Sequence, residues 1–102
     1  MTKSLVALVG TKFRGEEMVA LLASLPQGEP LALLREPDNK FDSAAVQVWA
    51  RDKHVGYVKG SQNRQLAARM DRDEAFRAAM SSGLRCKLAI DGGKQPMVEI
   101  DG

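Results

Sequence analysis

Residues 34–58 commit this chain to an order of strand, polar loop, strand, tight turn and strand. Leu31–Arg35 is apolar and reads as a strand, and Pro37 pushes Glu36 into an extended conformation. Pro37–Asp38–Asn39 then forms a turn, because proline presets φ and Asp and Asn side chains bond the nearby backbone. Alternation resumes in Ala45–Val46–Gln47–Val48–Trp49–Ala50, breaks at Arg51–Asp52–Lys53, and returns in His54–Val58. That pattern is a β-hairpin. A loop so dense in polar chemistry, held between rigid strands, is where small folds place binding sites.

The flanking segments fill out the same architecture. Ser4–Val9 is apolar, closes at Gly10, and reads as a first strand buried on both faces. Gly15–Leu25 carries Met18, Leu21, Leu22 and Leu25 at helical spacing, with Glu16 and Glu17 at the positive end of the dipole. Pro26–Pro30 stops that helix. A second helix is expected over Ser61–Met70 with Ser61 as its N-cap, and a third over Asp73–Met80 with Gly83 as its stop. Strands at Leu84–Ile90 and around Met97–Ile100, joined by a turn at Asp91–Gly92–Gly93, close the chain. The expected class is mainly β with inserted helices (α+β): a small, partly closed antiparallel barrel, OB-like or SH3-like, of about six strands with two or three helices. A ferredoxin-like sandwich is the structural alternative. At 102 residues, with neither repeats nor a linker, residues 1–102 are expected to form one domain.

Composition removes several function classes. Fifteen Lys and Arg against thirteen Asp and Glu leave a net charge of +2, compatible with nucleic acid without selecting for it. One cysteine and one histidine exclude an internal disulfide and the usual zinc sets. Cys86 alternates with Leu84, Leu88 and Ile90 and reads as a small buried hydrophobe rather than a nucleophile. There is no phosphate-binding glycine loop, nucleophile elbow or dinucleotide fingerprint. Asp38 and Asp42 lie four apart and can pair on a magnesium ion, but turn geometry accounts for both. We therefore expect no enzyme and no cofactor. Neither a signal peptide nor a membrane span of ~20 apolar residues is present, so a bacterial-type cytoplasmic setting is expected and no membrane partner.

Three clusters carry chemistry suited to single-stranded nucleic acid. Phe41 stands beside Lys40 and Asp42 just ahead of a strand; it either folds into the core or offers a face for stacking, and position alone favours neither. Lys12–Phe13–Arg14 flanks an aromatic with charge at a strand end, equally readable as a hydrophobic staple for the next helix. Tyr57 and Lys59 share one face of their strand. Trp49 lies opposite Val46 and is expected to pack under a helix. Arg64, Arg69, Arg72, Arg77, Arg85 and Lys87 read mostly as solvated-face charges.

Leu34–Arg35–Glu36–Pro37–Asp38–Asn39–Lys40–Phe41–Asp42, then Ala45–Val46–Gln47–Val48, then Val55–Gly56–Tyr57–Val58, together with Val9–Gly10 and the basic-aromatic turn, resemble the HIRAN domain. The resemblance spans roughly the first two-thirds of the chain and fades after Lys59. It implies an OB-like barrel that binds single-stranded DNA and captures its free 3′ end in repair and replication-fork processing. On that reading, Phe13, Phe41 and Tyr57 stack terminal bases, and Lys12, Arg14, Lys40 and Lys59 hold phosphates, with Arg35 completing the DNA-contacting set. Asp42 accepts a hydrogen bond from the 3′-hydroxyl and repels a 3′-phosphate. The implied partners are single-stranded DNA and a helicase, translocase or nuclease in another chain. A protein-interaction or adaptor domain on the same barrel is the alternative. Two departures stand out: Lys40 where the family often has proline, and one aromatic in the first turn where the best-known members have two.

Overall fold

The computed structural model describes residues 3–91 and 95–102. Six strands, β1 (Lys3–Val9), β2 (Pro30–Arg35), β3 (Val46–Ala50), β4 (Lys53–Val58), β5 (Cys86–Asp91) and β6 (Gln95–Asp101), form a closed antiparallel barrel in the order β1-β4-β3-β2-β5-β6. The expected small α+β barrel is therefore present, and it is closed rather than partly open. Two strands turn the corners. β1 pairs with β6 from Lys3 to Ala7, then passes to β4 at Leu8↔Val58 and Val9↔Tyr57. β2 pairs with β5 at Pro30 and Leu31, then with β3 from Ala32 to Arg35.

Three helices pack on this barrel: α1 (Glu16–Ser24), α2 (Arg64–Arg72) and α3 (Glu74–Ser81). Leu8, Leu31, Leu33, Val46, Val48, Val55, Val58, Leu88 and Val98 fill the interior, and α2 and α3 add Ala67, Met70, Phe76 and Met80 to the same cluster. Cys86 belongs to it too, with its sulfur 3.6 Å from Met80 Sδ, and burial pushes the thiol up to about 12. A thiol so protonated is inert.

Several local expectations shift. β1 is buried only at Ala7 and Leu8 and exposes Leu5, because a barrel strand turns alternate side chains outward. Ala7 is covered because residues 59–62 cross it: Lys59 N–H donates to its carbonyl, and Gln62 Oε1 accepts from its N–H. The second helix begins at Arg64, so Ser61 lies before it and Asn63 takes the N-cap position. Leu84 precedes β5 and is exposed. Gly83 does end α3, at φ +81° just past the Ser82 cap, and Asp73 caps its start by accepting from Phe76 N–H. Of the Asp91–Gly92–Gly93 turn, Gly92 and Gly93 lie outside the described residues. Among the described residues, no helix is long and apolar enough to cross a membrane.

Candidate nucleic-acid interface

The three clusters meet around the end of β4. The first turn is a 3₁₀ turn, Thr11–Arg14, entered through Gly10 at φ +80°. It sits tightly against β4 because Gly56 has no side chain: a Cβ there would lie 3.1 Å from Thr11 Oγ1 in the turn and 2.7 Å from the Val9 carbonyl oxygen that leads into it. Arg14 Nε donates to the His54 carbonyl at 3.3 Å. On the other side, the Tyr57 hydroxyl donates to Glu36 Oε1 at 2.9 Å, tying β4 to the signature loop, residues 36–45. Tyr57 thus bridges the turn and the loop.

The signature loop is built from its own hydrogen bonds. Asn39 Oδ1 accepts from the Phe41 and Asp42 N–H groups at 2.9 and 3.0 Å, and Asn39 Nδ2 donates to Glu36 Oε2 at 2.6 Å. Glu36 Oε1 also accepts from Gln47 Nε2. The bond from Gln47, with those from Asn39 and Tyr57, holds the Glu36 carboxyl below its ordinary value against the opposing cost of burial. At the far end, Asp42 Oδ1 accepts from Ala44 N–H at 2.9 Å, and Oδ2 accepts from Asn63 Nδ2 at 2.8 Å. These bonds, Asn63's first, keep Asp42 below the usual carboxylate range, helped by the charges of Arg64 and Arg35.

The expected side chains then divide by what they are free to touch. Phe41 is 97% exposed and Phe13 81% exposed, so the inward reading of Phe41 and the staple reading of Phe13 are both wrong. Lys12 lies over the Phe13 ring, 5.2 Å from its centroid. Lys40 and Arg14 are exposed beside these rings in sequence, and Lys59 is exposed just past the end of β4, outside the strand on which it was expected to share a face with Tyr57. Arg35 is committed inward. Its guanidinium donates to the Ala45 and Ser43 carbonyls and to both oxygens of Asp71 on α2, and its side chain is only 9% exposed. It holds the loop, leaving little of the fork for a phosphate.

Trp49 lies opposite Val46, as alternation requires, but its partner is a ring rather than a helix. It stacks on His54 at 5.4 Å between centroids, and Nε1 donates to Gln47 Oε1. His54 meets Tyr57 edge-on at 4.9 Å. Burial, then the Arg14 charge, hold the His54 imidazole below its ordinary value. Burial and the bond to Glu36 raise the Tyr57 phenol. Glu36, Gln47, His54 and Asn63 are the members of this site that sequence reasoning passed over. Of these only Gln47 had a local signal, the alternation that places it on one face with Trp49.

A closed six-stranded antiparallel barrel that gathers exposed rings, bases and a held carboxylate on its loops is a small module carrying its chemistry outside the core. More specifically, the chain belongs to the HIRAN domain family, whose model matches residues 3–86. The match runs through α2 and α3 to the first residue of β5, well past Lys59 where the visible resemblance faded. The fold is similar to the crystal structure of a Lactobacillus plantarum protein, a structural-genomics target. It is 28% identical, with a TM-score of 0.62, over 97% of this chain and 94% of that one. No curated protein matches the chain closely enough to count as a relative.

Proposed function

We propose that the face formed by the first turn, the signature loop and the end of β4 binds single-stranded DNA and reads its free 3′-hydroxyl end. HIRAN membership makes nucleic-acid binding the function class. The observation that carries the reading is the pair of nearly bare rings, Phe41 and Phe13, with lysines and Arg14 next to them. A ring kept out of the core adds nothing to packing, whereas a base stacked on it contributes about 1–3 kcal/mol, whatever the base. Lys12, Arg14, Lys40 and Lys59 hold phosphates and make the affinity fall with salt. Asp42, kept ionised by its donors, accepts a terminal hydroxyl and repels a terminal phosphate. Catalysis on such ends, in repair or fork processing, belongs to a helicase, translocase or nuclease in another chain, in the cytoplasm beside the nucleoid.

Titrating the protein into labelled single strands that end in 3′-hydroxyl, 3′-phosphate or a blocked group tests this. The 3′-hydroxyl strand is expected to bind tightest, with affinity dropping as salt rises. Equal binding of all three removes the end-reading role of Asp42. No binding even at low salt gives the face to a protein partner instead.

A further inference from the structure

Asn63 is the one buried polar residue among those described, at 2% exposed. A buried amide without partners is costly, and this one is satisfied across the fold rather than locally: Nδ2 donates to Asp42 Oδ2, 21 residues earlier in the chain. The bond is bought at the expense of an ordinary one. At the N-cap position of α2, an asparagine side chain normally accepts from a backbone N–H of the first helical turn. Here it makes no such bond, and its backbone is already helical at φ −98°, ψ −16°. The helix start is left uncapped by a residue well suited to cap it.

We infer that Asn63 is a positioning residue for 3′-hydroxyl recognition: its amide pins one oxygen of the Asp42 carboxylate and so aims the group at the end of a bound strand. The inference rests on the reading of Asp42 as the acid that meets the hydroxyl. A carboxylate on a single terminal torsion is otherwise broadly free to rotate. Ala44 N–H holds Oδ1 and Asn63 holds Oδ2, so rotation is blocked from both sides. Each oxygen keeps a further lone pair for a donor. Gly60 leaves the flank of Oδ2 uncovered, since a Cβ there would sit 3.6 Å from that atom. Asn63 is itself referenced to the barrel. Gln62 N–H donates to the Lys59 carbonyl, Lys59 N–H donates to Ala7 on β1, and Ala67 N–H donates to the Asn63 carbonyl. The charged groups that bear on Asp42 are Arg64 at the start of α2 and Arg35 at the end of β2.

The test compares affinities for 3′-hydroxyl and 3′-phosphate strands, alongside carboxyl-carbon NMR titration of Asp42. Asn63→Ala is expected to cut the hydroxyl preference about tenfold, the scale of one lost hydrogen bond to a charged group. Binding of the 3′-phosphate strand should stay nearly unchanged, and Asp42 should titrate at higher pH. Asp42→Ala alone should abolish the preference, and adding Asn63→Ala should take nothing further. Should Asn63→Ala fail to fold, Asn63→Asp keeps the shape. Its two carboxyls can share a proton when acid and repel each other when both are ionised, so affinity for the 3′-hydroxyl strand should fall at alkaline pH and recover on acidification. A preference undiminished in Asn63→Ala, an unmoved Asp42 titration, or equal weakening for both strands overturns the positioning role. A wild-type protein with no end preference overturns the Asp42 reading and this inference together, and the wild-type control shows that before any variant is made.

Discussion

The signature loop and the first turn offer the same pair of chemistries, a bare ring with bases beside it, but hold them on different terms. In the loop, Asn39 fixes the backbone at Phe41 and Asp42, Glu36 fixes Asn39, and Arg35 ties the Ser43 and Ala45 carbonyls to Asp71 on α2. In the first turn, Phe13 N–H donates to the Gly10 carbonyl and Arg14 reaches the His54 carbonyl, while Lys12 only lies over Phe13. A site held in advance loses less freedom on binding and can discriminate by shape; a loosely tied one contributes charge that adapts to its ligand. On the proposed function, selectivity for an end would therefore belong to the loop, and salt-sensitive grip to the turn.

Removing the anchors should show the largest contrast. Arg35→Ala removes a side chain only 9% exposed together with its bonds to two carbonyls, leaves the half-exposed Asp71 to water, and should cost about 2 kcal/mol in denaturant unfolding. Arg14→Ala removes an exposed bond and should cost at most about 0.5 kcal/mol. Equal losses would erase the distinction between the two regions. Next in size are the rings. Phe41→Ala and Phe13→Ala should each weaken single-strand binding by about 1–3 kcal/mol while leaving the melting transition in place, since neither ring packs in the core. A collapsed transition in Phe41→Ala would mean that the ring supports the loop after all.

What the sequence made legible follows the same line. Strands 30–35, 46–50 and 53–58 and helices 16–24 and 74–81 announce themselves through local period and turn residues, because each pattern is complete within its own segment. The exposed clusters were legible for the same reason. Arg35 was not: it reads as one more base near the loop until barrel closure brings Asp71, 36 residues on, to its fork. Asn63 was hidden likewise, since Ser61 offers an equally good local cap signal and nothing nearby reveals that Asp42 needs a donor. Local physics names the elements, whereas the partners of buried polar groups are fixed only by how the strands close.

Tyr57 joins the two regions, so Tyr57→Phe asks how far they act as one. It removes the bond to Glu36 and keeps the ring against His54, and should cost about 1 kcal/mol in unfolding. If the regions are coupled through that hydroxyl, the end preference should fall along with the stability. A loss of stability with selectivity intact would leave loop and turn as independent halves.

The smallest effect expected is a dependence on pH that separates the halves by where each titrates. His54, whose carbonyl receives Arg14, sits below its ordinary value of 6.5, so an unfolded chain takes up the proton first as pH falls. Its contribution to stability is complete above 6.5 and declines as pH drops through 6.5 toward the folded value. Glu36 and Asp42 are depressed from 4.5 and 3.8, so their contributions are complete above those values and are lost only at more acid pH. Mild acid should therefore loosen the His54 junction, and with it the first turn, while the signature loop keeps its hydrogen bonds. Amide exchange should quicken around residues 11–14 before it does so around residues 39–45, and His54→Gln should flatten the thermal-stability profile in the histidine range alone. A wild-type profile already flat through that range, or a slope that persists in His54→Gln, would show that the junction between turn and barrel is not where the proton acts.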